Sequence, residues 1–150
     1  MREKNYLTFS AVKINGTYIE DVIVGYHTLS NSGRDTLTKE YVSERNQGSD
    51  GELKRGSSFP AREIKVEYLI EAASHDEFHE KYEKLSTMLN VEDAQIIFND
   101  EADKYYIGSI YFGEEPQEGQ HWRSGEYVIK CYDPFKYAVN ETGPVITQVA

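Results

Sequence analysis

The residues of greatest chemical reach in this chain stand together in His75-Asp76-Glu77-Phe78-His79. Two imidazoles four residues apart share a helix face, the spacing by which zinc proteases present two metal ligands. That pattern needs Glu directly after the first His, and Asp76 holds the place. Glu77 has another task, because Ser74 followed three residues later by Glu is a capping box. No third ligand is indicated, so the pair reads as the solvated first turn of a helix. Cys131 is the single cysteine, which rules out an intrachain disulfide and a cysteine metal cage. It lies in an alternating strand-like stretch and reads as a small buried apolar group, not a nucleophile. Gly48-Ser49-Asp50-Gly51 lacks the Lys and the strand-turn-helix setting of a phosphate loop. Trp122, the only tryptophan, follows an acidic loop and reads either as a cap on one end of the fold or as an interface anchor. No Ser/His/Asp order or nucleophile elbow can be assembled. The expectation is a non-enzymatic chain with no cofactor and no metal, whose role is structural or one of interaction.

The charge balance narrows the partners. The chain has 150 residues, 16 Lys+Arg and 26 Asp+Glu, for a net charge of −10. Clustered cations are what neutralise phosphates, so a nucleic-acid binder is not expected. An anionic membrane surface is equally unfavourable. No run reaches the roughly 18 apolar residues of a membrane span, and no secretory signal is visible at the start. Asn140-Glu141-Thr142 matches a glycosylation sequon that carries no meaning without such a signal. The length is that of one domain. Twelve Tyr and six Phe supply bulky packing groups suited to strands.

The elements that would position these residues are mostly strands. Residues 6–24 read as a hairpin about Asn15-Gly16, because a type I′ turn needs positive φ at both central positions. Residues 25–35 are polar and turn-like. Residues 36–42 predict a short strand, and 46–60 a long loop with three glycines between positions 48 and 56. A loop of that length in a compact domain is usually functional or ordered by a partner. Ile64, Val66, Tyr68, Ile70 and Ala72 alternate with mostly charged residues, Leu69 being the one exception on the polar side. Phe78, Tyr82, Leu85 and Leu89 then recur at helical spacing and predict one α-helix over about 74–89. Strands over 94–98, 105–112 and 125–132 follow, with a glutamate-rich loop at 113–121. The tail 136–150 has no clear period, though 145–149 suits a strand or a linker. The order is β-β-β-β-α-β-β-β. It predicts an α+β fold, a mainly antiparallel β-sandwich or split barrel with the helix packed on the sheet.

Three parts of the chain, taken in order, resemble the N-terminal domain of the distal tail proteins of long-tailed bacteriophages. They are Phe-Ser-Ala-Val-Lys-Ile-Asn-Gly from Phe9 to Gly16, the loop Gly48-Ser49-Asp50-Gly51 with Ile64-Lys65-Val66 beyond it, and Cys131-Tyr132-Asp133-Pro134-Phe135-Lys136-Tyr137. The likeness covers most of residues 6–137. The family loop usually reads Gly-Arg-Asp-Gly or Gly-Arg-Asn-Gly, and Ser49 replaces that Arg.

The resemblance implies a tail-tube-like fold and a virion structural protein. It implies a homo-hexameric ring joining the tail tube to the tail tip or baseplate, made in the bacterial host cytoplasm. The implied partners are further copies of the chain, the tail tube protein, the tape-measure protein and the tip or hub protein, with no membrane. DNA passes through the central channel without specific binding. Residues 1–137 would form the ring domain, and 138–150 an exit strand or linker toward an absent C-terminal domain. The chain would then be a ring-domain fragment or a short homologue. Expected interface residues are Gly48, Ser49, Asp50, Gly51, Lys54, Arg55 and Trp122. Glu114, Glu115 and Glu118 are expected at an acidic lumen, which repels DNA. The alternatives are a tail-tube or tube-completion protein, or a small-ligand β-barrel with the 105–112 aromatics as a pocket wall.

Overall fold

The computed structural model describes residues 7–34, 37–113, 117–118, 122–139 and 146–147. The elements run β1 (Val12–Ile14), β2 (Thr17–Tyr18), α1 (Ile19–Val22), β3 (Tyr26–Ser32), β4 (Glu40–Glu44), β5 (Leu53–Ser58) and β6 (Arg62–Glu71). They continue with α2 (His75–Leu89), β7 (Ala94–Phe98), β8 (Lys104–Phe112), β9 (Gln117–Glu118), β10 (Trp122–Cys131), β11 (Lys136–Ala138) and β12 (Ile146–Thr147). The main sheet has the order β2-β1-β7-β8-β10-β6-β3, with β9, β11 and β12 attached at its margins, and β4-β5 form a separate two-stranded sheet. Every pairing is antiparallel. The path is open, running from β2 to β3. This is the expected α+β, mainly antiparallel sandwich with one main helix.

The alternation in β6 buries as it reads. Arg62, Ile64, Val66, Tyr68 and Ile70 are buried while Glu63, Lys65 and Glu67 face solvent. Against them pack Tyr127, Ile129 and Cys131 of β10, Ile96 and Phe98 of β7, and the helix stripe Phe78, Leu85 and Leu89. Burying side chains of this size contributes about 1.5–3 kcal/mol each. The long β6–β10 ladder runs in unbroken register from Trp122 opposite Glu71 to Cys131 opposite Arg62. Gly108 lets β8 approach β10, because a Cβ there would stand 2.4 Å from Ile129 Cγ2. Burial pushes the Cys131 thiol up to about 12, which fits its expected apolar role.

The helix begins where the capping box predicts. Glu77 N donates to Ser74 Oγ at 3.1 Å, and Ala73 N donates to Glu77 Oε2 at 3.1 Å. The front of the chain departs from the reading of residues 6–24 as a plain hairpin. The turn at Asn15-Gly16 is present with both φ positive, but β2 stops after Tyr18 and α1 follows. Ile19 and Ile23, one helical turn apart, are both buried, and that burial outweighs their β propensity. The polar run at 25–35 holds a strand, β3, because Tyr26 and Thr28 alternate into the core. The loop expected at 46–60 is largely a hairpin arm, since β5 pairs with β4.

Candidate functional site

Two surfaces stand out, at opposite ends of the β6–β10 ladder. The first is the β4–β5 arm. Its register runs from Glu40 opposite Ser58 to Glu44 opposite Leu53, with a bulge between Val42 and Ser43. Side chains on the arm tie mostly to each other: Arg55 Nε donates to Glu44 Oε2 at 2.7 Å and Ser43 Oγ to Glu52 Oε2 at 2.9 Å. Lys54 Nζ lies 5.3 Å from the centre of the Tyr41 ring. Such exposed pairs contribute roughly 0–1 kcal/mol. Every residue of the two strands is exposed except Gly56, which is half-buried. Tyr41, Val42 and Leu53 keep half or more of their surface in water. A lone two-stranded hairpin is marginal in water. The arm's base is pinned by Phe59, whose ring meets Phe135 edge-on at 5.5 Å.

Of the expected interface residues, Gly48, Ser49, Asp50 and Gly51 form the arm's tip, where Ser49 N donates to Asn46 O at 3.2 Å. Gly48 and Gly51 hold φ of 87° and 73°, angles that favour glycine. Lys54 and Arg55 lie on β5. Trp122 stands apart from all of these, at the far end of β10 beside Glu71. The sequence reading missed the apolar residues of the arm, Tyr41, Val42 and Leu53. Glu114 and Glu115, and the side chain of Glu118, lie outside the described residues, as does the sequon at 140–142.

The second surface surrounds Trp122. Val24, Leu29, Leu69, Ala72 and Trp122 line an open groove of about 890 Å³, with Glu71, Glu77 and Lys81 as its charged members. Val24 is 82% exposed and Trp122 45%. Leu69, which broke the polar face of its strand, and Trp122, read as a cap or an interface anchor, were the local signals of this patch in the sequence. Lys81 Nζ bonds the Glu71 carbonyl at 2.8 Å and the Glu77 carboxylate at 2.9 Å, and with the Ala73 N–H it holds the Glu77 carboxyl below its ordinary range.

The histidine pair sits beside this groove. Arg123 Nη2 is 2.7 Å from His75 Nδ1. A guanidinium can only donate, so Nδ1 accepts and Nε2–H of His75 points to His79 Nε2, 3.0 Å away. The guanidinium also covers the Phe78 ring at 4.0 Å. Among the described residues, no group of three or more His, Cys, Asp or Glu is placed to hold a metal ion. Three of the four aromatics of β8 pack against the protein: Tyr106 is buried edge-on to Phe98, Tyr105 stacks on Tyr137 and Phe112 meets Tyr82, while Tyr111 stays exposed. Among the described residues, no helix is long and apolar enough to cross a membrane.

The ending Asp133-Pro134-Phe135-Lys136-Tyr137 is a built corner. Asp133 accepts from Phe135 N at 3.1 Å and from the Tyr137 hydroxyl, which is thereby pushed up to about 12. Residues 10–136 match the phage tail protein RIFT-related domain. The chain belongs to that family. Its fold is also that of the SPP1 Dit protein (gp 19.1), described as a paradigm of the hub adsorption apparatus in phages infecting Gram-positive bacteria. The TM-score is 0.77 at 24% identity, over 85% of this chain and 51% of that one. The chain thus spans about half the length of that relative. No curated protein matches it. The tail family accounts for a fold rich in packing and a surface rich in loops and edges, and places the chain among phage tail components.

Proposed function

We propose that the chain is the ring-forming part of a distal tail protein. Six copies close around a central channel and connect the tail tube to the tail tip or baseplate, in contact with the tube, tape-measure and hub proteins. Its work is structural, with no chemical step. Residues 1–137 build the ring and 138–150 lead away from it toward a further domain. The fold shared with the Dit protein supports this reading, and the arm is the observation that carries it. An extended, nearly neutral hairpin with bare apolar side chains is what a subunit needs to clasp its neighbour. The acidic surface suits a channel that DNA traverses without sticking, since six copies carry sixty net negative charges. Glu114, Glu115 and Glu118 are assigned to that lumen.

Native mass spectrometry and negative-stain microscopy of the 150-residue chain test this. Six-membered rings should form as concentration rises. They should form more readily at 0.5 M than at 0.01 M salt, because screening relieves repulsion between acidic copies. Two-fold dimers in place of rings, or a monomer at every concentration and salt, would refute the reading.

A further inference from the structure

The ring reading requires a receptor for the arm, and the groove around Trp122 has the position, shape and charge for it. We propose that the β4–β5 arm of one copy lies in the Trp122 groove of the next, with Val42 and Leu53 against Leu29, Leu69 and Trp122.

Position comes first. The arm leaves the body where Ser32 ends β3 and Arg62 begins β6, whereas the groove lies at Gly25, Glu71 and Trp122, the other end of the same strands. Nine residue steps separate them along β6, about 30 Å. A six-residue arm strand spans only about 20 Å, and the Phe59–Phe135 contact pins its base. Donor and receptor at opposite ends of one body make a head-to-tail contact, the kind that generates closed rings.

Shape follows from two bulges. On the arm, Val42 stands opposite Gly56, whose missing side chain leaves Val42 bare, and Leu53 lies on the same face opposite Glu44. On the body, the register slips between Thr28 and Ser30, so Leu29 is the extra residue and projects into the groove. β3 also pairs with β6 alone among the described residues, which leaves its outer edge open beside the groove.

Charge selects a second copy over other occupants. Residues 40–58 carry three Lys+Arg and four Asp+Glu, a net −1, so nine of the ten net negative charges reside on the rest of the chain. The arm is therefore close to neutral, and an acidic copy repels it only weakly. Within the groove two carboxylates face one ammonium, and Glu71 is 61% exposed, open to Arg55 of an incoming arm.

The test is a cysteine pair in the full chain, Val42→Cys with Leu29→Cys, under mild oxidation. Cys131 is buried and does not compete. The expected result is a ladder of intermolecular disulfides, absent from a control pairing Val42→Cys with Thr17→Cys at the far β1–β2 turn. Adding Trp122→Ala should weaken assembly about thirtyfold, as loss of an anchoring aromatic does, with an unchanged circular dichroism spectrum. No excess over the control, or an intramolecular disulfide only, overturns the arm–groove contact. Rings that form without the disulfide ladder sink this inference and leave the ring reading intact. A ladder whose members never close at six sinks the ring reading and keeps the contact.

Discussion

In β6 every second residue is withdrawn from water, and Ile64, Val66, Tyr68 and Ile70 have no exposed surface. In β4 and β5 apolar residues are also present, yet Tyr41, Val42 and Leu53 stay in water. Both regions are antiparallel ladders with comparable hydrogen bonding. What separates them is a second layer: β6 has α2 and the sheet around it, while β4 and β5 keep their side chains exposed on both faces. Backbone pairing alone contributes little net free energy because water offers the same bonds. The body draws its stability from its own packing, and the arm is the surface proposed above for a neighbouring copy.

The largest expected effect sharpens this contrast from the body's side. Tyr68→Ala should cost about 3–5 kcal/mol, the usual loss for a large buried side chain, read from urea unfolding. A loss below ~1 kcal/mol would mean that the core is far looser than its burial implies.

Two smaller effects probe local devices of the body. Ser74→Ala removes the cap of α2 and should cost about 1 kcal/mol. Glu20 is the body's awkward carboxylate: Oε2 accepts from the Thr28 hydroxyl at 3.1 Å, but Oε1 is buried with no hydrogen-bond partner among the described residues. Burial raises its pKa above the ordinary carboxylate value. The folded state then holds the proton more tightly than the unfolded chain. Stability is fullest below the ordinary carboxylate pKa and falls as pH rises through the raised one. Glu20→Gln should stabilise by about 1 kcal/mol near neutrality. The two proteins should converge in acid, as urea unfolding at pH 4, 6 and 8 would reveal. A constant gap across that range would contradict the assignment.

The smallest effect on stability belongs to the arm. Val42→Glu with Leu53→Glu should shift unfolding by less than ~0.5 kcal/mol, as exposed changes do. Arm amides of the dilute chain should exchange with solvent far faster than those of β6 and β10. A loss of several kcal/mol, or strong arm protection in the dilute chain, would break the distinction between the two regions.

Much of the body was legible because its signals are local. The Ser74 cap, the stripe from Phe78 to Leu89 and the alternation of β6 each reside in a few consecutive residues, and the structure keeps all three. The strand β3 was hidden because His27, Ser30, Asn31 and Ser32 are polar, and only contact with β6 makes that segment extended. β5 was hidden for a similar reason: Lys54, Arg55, Gly56 and Ser57 carry no apolar alternation, and their ladder depends on β4. For the site, the sequence marked the tip Gly48–Gly51, Lys54, Arg55 and Trp122 separately. Nothing local tells that they lie at opposite ends of one ladder.

By itself, then, the chain's order of residues determined the class of fold, the helix and its cap, the buried face of β6, the inert setting of Cys131 and an acidity that disfavours polyanions. These depend on side-chain periodicity and total charge, which need no knowledge of distant neighbours. Only the tertiary structure decided that residues 40–58 stand off as an arm, that Val24, Leu29, Leu69 and Trp122 converge on one groove, and that about 30 Å of ladder holds the two apart. Strand order and register are long-range pairings, and a surface exists only once those pairings have brought remote segments side by side.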